Sequence, residues 1–306
     1  MRRVALIGYG EVGKILAEDL RAAGVQVRAW DLALATVGEP LGDAMRAHAD
    51  AHGVVPGRDA ADAVAGAGLV VSAVTASRTL DAARACLAGM QAGAFFLDLN
   101  SASPGTKREA AAAVDGAGAR YVEGAVMTSV PPHRIKVPLL LGGPHARALE
   151  APLQALGFAA RFHDERLGVA SATKMCRSVV IKGLEALVVE SLAAAREYGV
   201  EDAVLASLKE TFPGIDWQAQ ASYFFQRVIE HGRRRSEEMR EVTRTVAEAG
   251  LEPWAAEAAA RRQARMAELA DAGAFGERGQ PGFARSPDWR TEADRLRAAC
   301  TSRGTR

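Results

Sequence analysis

An α/β domain built on a parallel sheet, followed by an all-α domain, is the fold this 306-residue sequence predicts. Three observations carry it. A glycine-rich turn joins an N-terminal apolar run to an amphipathic helical segment. Short apolar runs then alternate with helical stretches of about ten residues as far as residue 163, the pattern of βαβ units. From residue 164 onward only helical periodicity continues, so the domains are expected at 1–163 and 164–306.

Arg2 to Ile7 reads as a buried strand and leads directly into Gly8-Tyr9-Gly10-Glu11-Val12-Gly13, a G-x-G-x-x-G. A helical pattern runs from Lys14 to about Ala23, with Ile15, Leu16 and Leu20 on one face. Gly24 stops it, and Val25 to Trp30 forms a second strand that ends at Asp31. Together these pieces make the Rossmann dinucleotide fingerprint. Gly8 permits the tight turn, Gly10 lets backbone approach a pyrophosphate, and Gly13 lets helix pack on strand. The helix N-terminus supplies N–H groups and positive dipole for phosphate. Asp31 is placed to accept from a ribose 2′-hydroxyl and would repel a 2′-phosphate. Residue 32 is Leu and no Arg follows the strand immediately, so NAD is favoured over NADP; Arg28 is the nearby cation that could add charge.

After Asp31 come helical stretches near Ala44 to His52 and Asp59 to Ala67, then the buried strand Leu69 to Val74. Val74 and Thr75 stand at its carboxyl end, where ligands bind in open α/β sheets. A helix from Thr79 to Gly89 leads to strand Ala94 to Leu99, which ends in Asn100-Ser101-Ala102-Ser103-Pro104. Ser103 before Pro104 reads as a helix N-cap, which leaves Ser101 to face a ligand and Asn100 to join the cofactor set. Strand Arg120 to Val126, a loop from Met127 to Pro138, strand Leu139 to Gly143, helix Ala146 to Leu156 and strand Ala159 to Phe162 complete the domain.

The helical half opens with Leu167 to Tyr198, apolar on most faces and therefore expected to be a buried central helix. Helices follow at Glu201 to Thr211, Trp217 to Glu230, Ser236 to Ala249 and Trp254 to Ala270, and a partly irregular tail is expected from Gly273. Lys174 and Lys182 interrupt the apolar surface of the first helix. An ammonium buried without a partner is costly, so each must reach a carboxylate, a crevice or solvent. Snorkelling suits Lys182 better than Lys174, which follows the small residues Gly168-Val169-Ala170 by one turn.

Lys and Arg number 38 against 37 Asp and Glu, so no chain-wide field attracts nucleic acid or a membrane surface. The N-terminus lacks the pattern of a signal peptide, and no run reaches the roughly twenty apolar residues of a spanning helix. Cys86, Cys176 and Cys300 form no C-x-x-C and read as reduced thiols of a cytoplasmic protein. His48 and His52 are four apart on a helix, but no third ligand accompanies them, so no metal is expected and both read as solvent-facing. Arg285, Arg290, Arg295 and Arg297 read as a solvated face in preference to a phosphate contact in a partner's cleft.

The chain resembles the β-hydroxyacid dehydrogenases, which include the 3-hydroxyisobutyrate and 6-phosphogluconate dehydrogenases. Four motifs in order carry the resemblance: the glycine turn with Asp31; Leu97 to Pro104, similar to the family's D-x-S-S-x-x-P; Tyr121 to Val130, similar to D-A-P-V-S-G-G; and Gly168 to Lys174, similar to G-x-G-x-x-x-K. The resemblance implies a Rossmann domain, an all-helical substrate and dimerisation domain, a homodimer, an active site in a cleft, and a catalytic lysine at 174. Three departures stand out. The D-A-P-V-S-G-G segment reads Glu123-Gly124-Ala125-Val126-Met127-Thr128-Ser129, the second glycine of the lysine helix is Ala170, and Arg177 and Ser178 stand where the family has Asn. The expected activity is reversible oxidation of a hydroxyl on a small hydroxy acid, plain or phosphorylated, with Lys174 as general acid/base. Ser101, Thr128, Ser129, Arg177 and Ser178 then contact an anionic substrate, with Arg177 gripping carboxylate or phosphate. The alternatives are an imine or keto reductase on the same fold and a silent nucleotide sensor.

Overall fold

In a computed structural model of the protein, residues 1–36, 38–284, 286 and 288–301 are described. They fall into two compact units, Met1–Cys176 and Arg177–Arg306. The first contains β1 (Arg3–Ile7), α1 (Glu11–Ala22), β2 (Gln26–Trp30), α2 (Pro40–Ala51), β3 (Val55–Pro56), α3 (Ala60–Val64), β4 (Leu69–Ser72) and α4 (Thr79–Cys86). It continues with β5 (Phe95–Asp98), α5 (Pro104–Gly116), β6 (Arg120–Val126), β7 (Leu139–Gly142), α6 (Ala146–Ala155) and β8 (Ala160–Asp164).

The strands form one sheet in the order β3-β2-β1-β4-β5-β6-β7-β8. Every pair is parallel except β6 with β7. The unbroken apolar character of β1, β4 and β5 follows from burial on both faces. Val4, Leu6, Leu69, Val71, Phe95 and Leu97 join the core on one side of the sheet, and their neighbours Ala5, Ile7, Val70 and Phe96 join the core on the other. From β1 the chain winds outward to β2 and β3 and then returns to β4 on the opposite side. In open α/β sheets ligands bind at such a reversal, which here falls at the carboxyl ends of β1 and β4. Helix α1 begins at Glu11, earlier than the apolar pattern alone suggests, because Gly10 adopts the N-cap conformation.

The chain then forms α7 (Val169–Tyr198), α8 (Glu201–Thr211), α9 (Trp217–Glu248), α10 (Trp254–Asp271) and α11 (Trp289–Thr301). The division into units falls inside α7, later than the change of character at 163/164, because the first turn of α7 is bonded to the sheet by Glu123. Two expectations about these helices are corrected. Helix α9 is one helix of 32 residues and does not break at 231–235. Gly232 is there for packing: a Cβ on it would lie 2.6 Å from the Gln263 carbonyl oxygen. The tail from Gly273 is partly irregular, as expected, and its helix α11 seats a buried Trp289 against Phe225 with ring centroids 5.7 Å apart. Helix α7 is not buried all round, because Val180 and Leu187 are 66% and 65% exposed.

Lys182 does not snorkel. It is buried and ion-paired with Glu238. Arg290, Arg295 and Arg297 pair with acids of their own unit, among them Asp202, Glu292 and Asp294. Arg285 lies outside the described residues. Among the described residues no helix is long and apolar enough to cross a membrane, and all three cysteines are free.

Candidate active site

The glycine turn lies at the carboxyl end of β1. Gly8 has φ +93°, and a Cβ there would meet the Ala73 carbonyl oxygen at 2.3 Å. A Cβ on Gly13 would meet the Gly8 oxygen at 2.1 Å, so the helix can approach the turn only without one. Gly10 differs from both. Its Cβ would meet nothing within 4 Å, and it places no side chain over the first N–H groups of α1. Open space above the N-terminus of a helix suits a pyrophosphate.

Asp31 is clamped by backbone. Its Oδ2 accepts from the Tyr9 N–H at 2.8 Å and its Oδ1 from the Ala33 N–H at 3.0 Å. Each oxygen keeps a lone pair for a ribose hydroxyl. Arg28 is held by Asp62 at 2.8 Å. Within the fingerprint, Glu11 is exposed, Val12 packs on the core, and Tyr9 contributes backbone only. The Tyr9 ring is buried, its hydroxyl lies 3.0 Å from His48 Nδ1, and burial with the nearby Glu18 charge pushes the phenol up to about 12. His48 is therefore not solvent-facing. It sits between Tyr9 and Glu18, a residue too distant in sequence for any spacing rule to pair with it. His52 is exposed, as expected.

Asn100 links β4 to β5. Its side-chain oxygen accepts from the Val74 N–H at 2.7 Å, and its amide donates to Ser72 Oγ at 3.0 Å. Thr75, one residue on, is exposed. Below Asn100 lies a buried cluster that the sequence reading missed. Asp98 accepts from Tyr121 Oη at 2.6 Å, from Lys107 Nζ at 2.9 Å and from the Asn100 N–H at 2.9 Å. Burial and the Asp98 charge hold the Tyr121 phenol well above its usual range. One signal was available: a lysine in the Ala-rich α5 needs a partner on the face it buries. Ser103 caps α5, its Oγ accepting from the Thr106 N–H at 3.2 Å, which leaves Ser101 to a different task.

That task is visible at Lys174, whose Nζ donates to Ser101 Oγ at 2.6 Å. Both residues are half-buried. The start of the lysine helix is fixed by Glu123, a fully buried carboxylate on β6. Its Oε1 accepts from the N–H groups of Gly168 at 2.9 Å and Ala170 at 3.1 Å, and its Oε2 from Ser171 at 3.4 Å. Gly142, opposite Glu123 on β7, makes the room, since a Cβ there would lie 2.3 Å from Glu123 Oε1. Glu123 was legible only as a departure from a family motif. Contacts therefore run from Gly8 through Ala73 and Val74 to Asn100, and one residue further to Ser101 and Lys174. Thr128 and Ser129 are exposed on the loop after β6. Arg177 is exposed and Ser178 buried, both on the part of α7 that belongs to the second unit.

Comparison with known proteins bears on the fold and the family. Residues 3–151 match the NAD binding domain of 6-phosphogluconate dehydrogenase, and residues 195–266 match a domain of unknown function, DUF1932. A conserved hypothetical protein from Sinorhizobium meliloti 1021 is 36% identical, with 98% of this chain and 97% of that one covered and a TM-score of 0.73. A conserved protein of unknown function, described as structurally similar to 3-hydroxyacid dehydrogenases, is 31% identical with 88% and 98% covered and a TM-score of 0.67. An NAD-dependent L-serine dehydrogenase of Pseudomonas aeruginosa is 27% identical over 224 residues, 71% of this chain and 72% of that protein. Fold and matches together define an NAD(P)-binding, dehydrogenase-like protein. The chain belongs to the β-hydroxyacid dehydrogenase family.

Proposed function

We propose that the protein catalyses reversible, NAD-dependent oxidation of a hydroxyl group on a small hydroxy acid, with Lys174 as general acid/base. The observation that carries this reading is the 2.6 Å bond between Lys174 Nζ and Ser101 Oγ, made by side chains 73 residues apart. Bound nicotinamide would supply the hydride acceptor. Lys174, as the amine, takes the hydroxyl proton while the carbinol hydrogen leaves as hydride, and returns it in the reverse direction. Ser101 orients the hydroxyl against Lys174. Asn100 and Glu123 keep the two partners in place by holding backbone. Arg177, with Ser178, Thr128 and Ser129, is assigned to the anionic end of the substrate.

Two features support NAD over NADP. Asp31 presents a carboxylate where a 2′-phosphate would have to sit, and Arg28 is already paired with Asp62. The helical unit is assigned to homodimer formation, with Val180 and Leu187 offering an apolar stripe on α7.

The test is NADH formation across a panel of 2- and 3-hydroxy acids, including L-serine and phosphorylated members, with NADP and Lys174→Ala as controls. Turnover with NAD that vanishes in the variant, NADH binding being retained, is the expected result. Loss of NADH binding in the variant, or turnover that survives it, overturns the assignment of Lys174.

A further inference from the structure

Away from Lys174 and Ser101, one cluster in the first unit brings together metal-ligating side chains from separate elements. Glu18 on α1, His48 on α2 and His52 just past the end of α2 each offer a ligand atom, all within 4.8 Å of one another. His48 Nε2 lies 3.0 Å from Glu18 Oε1, and the two imidazole rings stack with centroids 4.4 Å apart. We propose that Glu18, His48 and His52 form a three-ligand site for a divalent transition metal of the zinc type, with a fourth position open to water.

The donor set selects the metal. Two imidazoles and one carboxylate suit zinc, nickel or copper, whereas calcium and magnesium require an oxygen shell. The surroundings have the form of a supported site. Tyr9 Oη stands 3.0 Å from His48 Nδ1. With metal on Nε2, the proton resides on Nδ1 and is donated to the Tyr9 hydroxyl, which orients the ring as outer partners of metal-bound histidines do. Arg134 Nη2 binds Glu18 Oε2 at 2.7 Å and so reserves Oε1 for the metal. The His48 side chain is only 19% exposed, while His52 faces solvent and provides the entry path.

The position suggests the role. Tyr9 is the second residue of the glycine turn, and its N–H is one of the two backbone donors that hold Asp31. A metal here would fasten α1 to α2 directly behind that turn and stiffen it. No step of the proposed reaction passes through the site, so its occupancy is tested apart from turnover.

The experiment is zinc titration by calorimetry on tag-free, chelator-stripped full-length protein in which the exposed Cys176 and Cys300 are changed to serine. Thermal unfolding is measured with and without the metal. One equivalent of zinc is expected, with a higher Tm on binding. His52→Gln, at an exposed position, and Glu18→Gln, which keeps the side-chain shape, should each weaken zinc at least about tenfold and abolish the Tm increase. Absence of zinc binding in the parent protein overturns the proposal and leaves Arg134, Glu18, His48 and Tyr9 as a hydrogen-bonded chain only. Affinity unchanged in both variants overturns it equally, since the ion would then sit elsewhere.

Discussion

The two units hold most of their structural polar side chains in different ways, the buried Asp98–Lys107 pair of the first unit being an exception. In the first, the oxygens of Asp31, Asn100 and Glu123 face backbone N–H groups: those of Tyr9 and Ala33, of Val74, and of Gly168, Ala170 and Ser171. In the second, charges face charges. Glu185 binds Arg235 at 2.7 Å, Lys182 binds Glu238, and Arg196 binds both Glu201 and Asp294. A carboxylate that accepts from backbone fixes the path of the chain, whatever side chains that stretch carries. An ion pair fastens helix to helix and leaves the chain path to helical geometry. Burial also works against the second arrangement: it raises Glu185 and lowers Arg235, so desolvation outweighs their attraction. The first device suits a site that must be placed to a fraction of an ångström, and the second suits a scaffold.

The contrast can be broken in four places. The largest effect is expected at Lys174→Ala, where kcat should fall about 10³-fold, roughly 4 kcal/mol of barrier, with NADH affinity nearly unchanged. Steady-state kinetics beside NADH fluorescence titration will separate the two. Next comes Arg235→Ala, which strands a buried carboxylate and should cost about 3–5 kcal/mol in urea unfolding. Replacing both members, Glu185→Met with Arg235→Met, should recover most of that loss. Glu123→Leu should cost about 3 kcal/mol and lower kcat together with stability, because several helix N–H groups lose their acceptor. Here no second substitution can restore the loss, since the partners are backbone; a rescuing pair found by screening would erase the distinction.

The smallest effect concerns pH. Burial, with the Arg227 and Arg234 charges, pulls His231 from 6.5 down to about 4. The unfolded chain therefore takes up the proton first. Stability from this group is complete above pH 6.5 and is lost as the pH falls toward 4. His231→Gln should flatten that stretch of the stability profile by about 1–2 kcal/mol, after allowance for partial exposure. A profile that is unchanged in the variant would assign the acid limb to another group.

How much of this was legible in the sequence depended on the range of the physics. Gly8, Gly10, Gly13 and Asp31 lie within one short βαβ unit, where turn, helix start and strand end constrain each other, so their geometry could be read directly. Lys174 and Ser101 were singled out separately, one as a cation in an apolar helix and the other as a hydroxyl at a strand end. Only the fold could bring them to 2.6 Å. The burial and pairing of Asp98, Lys107, Tyr121 and Glu123 could not be read, because a polar residue written in a sequence does not say that it is buried. The continuity of α9 through 231–235 was hidden for a related reason: a glycine that breaks a helix and one that admits a neighbouring helix, as Gly232 does, look alike until the neighbour is in place.

Gly142 carries a consequence of its own. With no side chain, it fixes the size of the acceptor that sits opposite it and so the register at which the lysine helix begins. The two positions share a single volume and should covary: among related chains, a methyl or larger group at the place of Gly142 requires a shorter residue at the place of Glu123, and the helix must then start on a different acceptor. A search for that trade in side-chain size would locate branches of the family in which the lysine has been re-aimed.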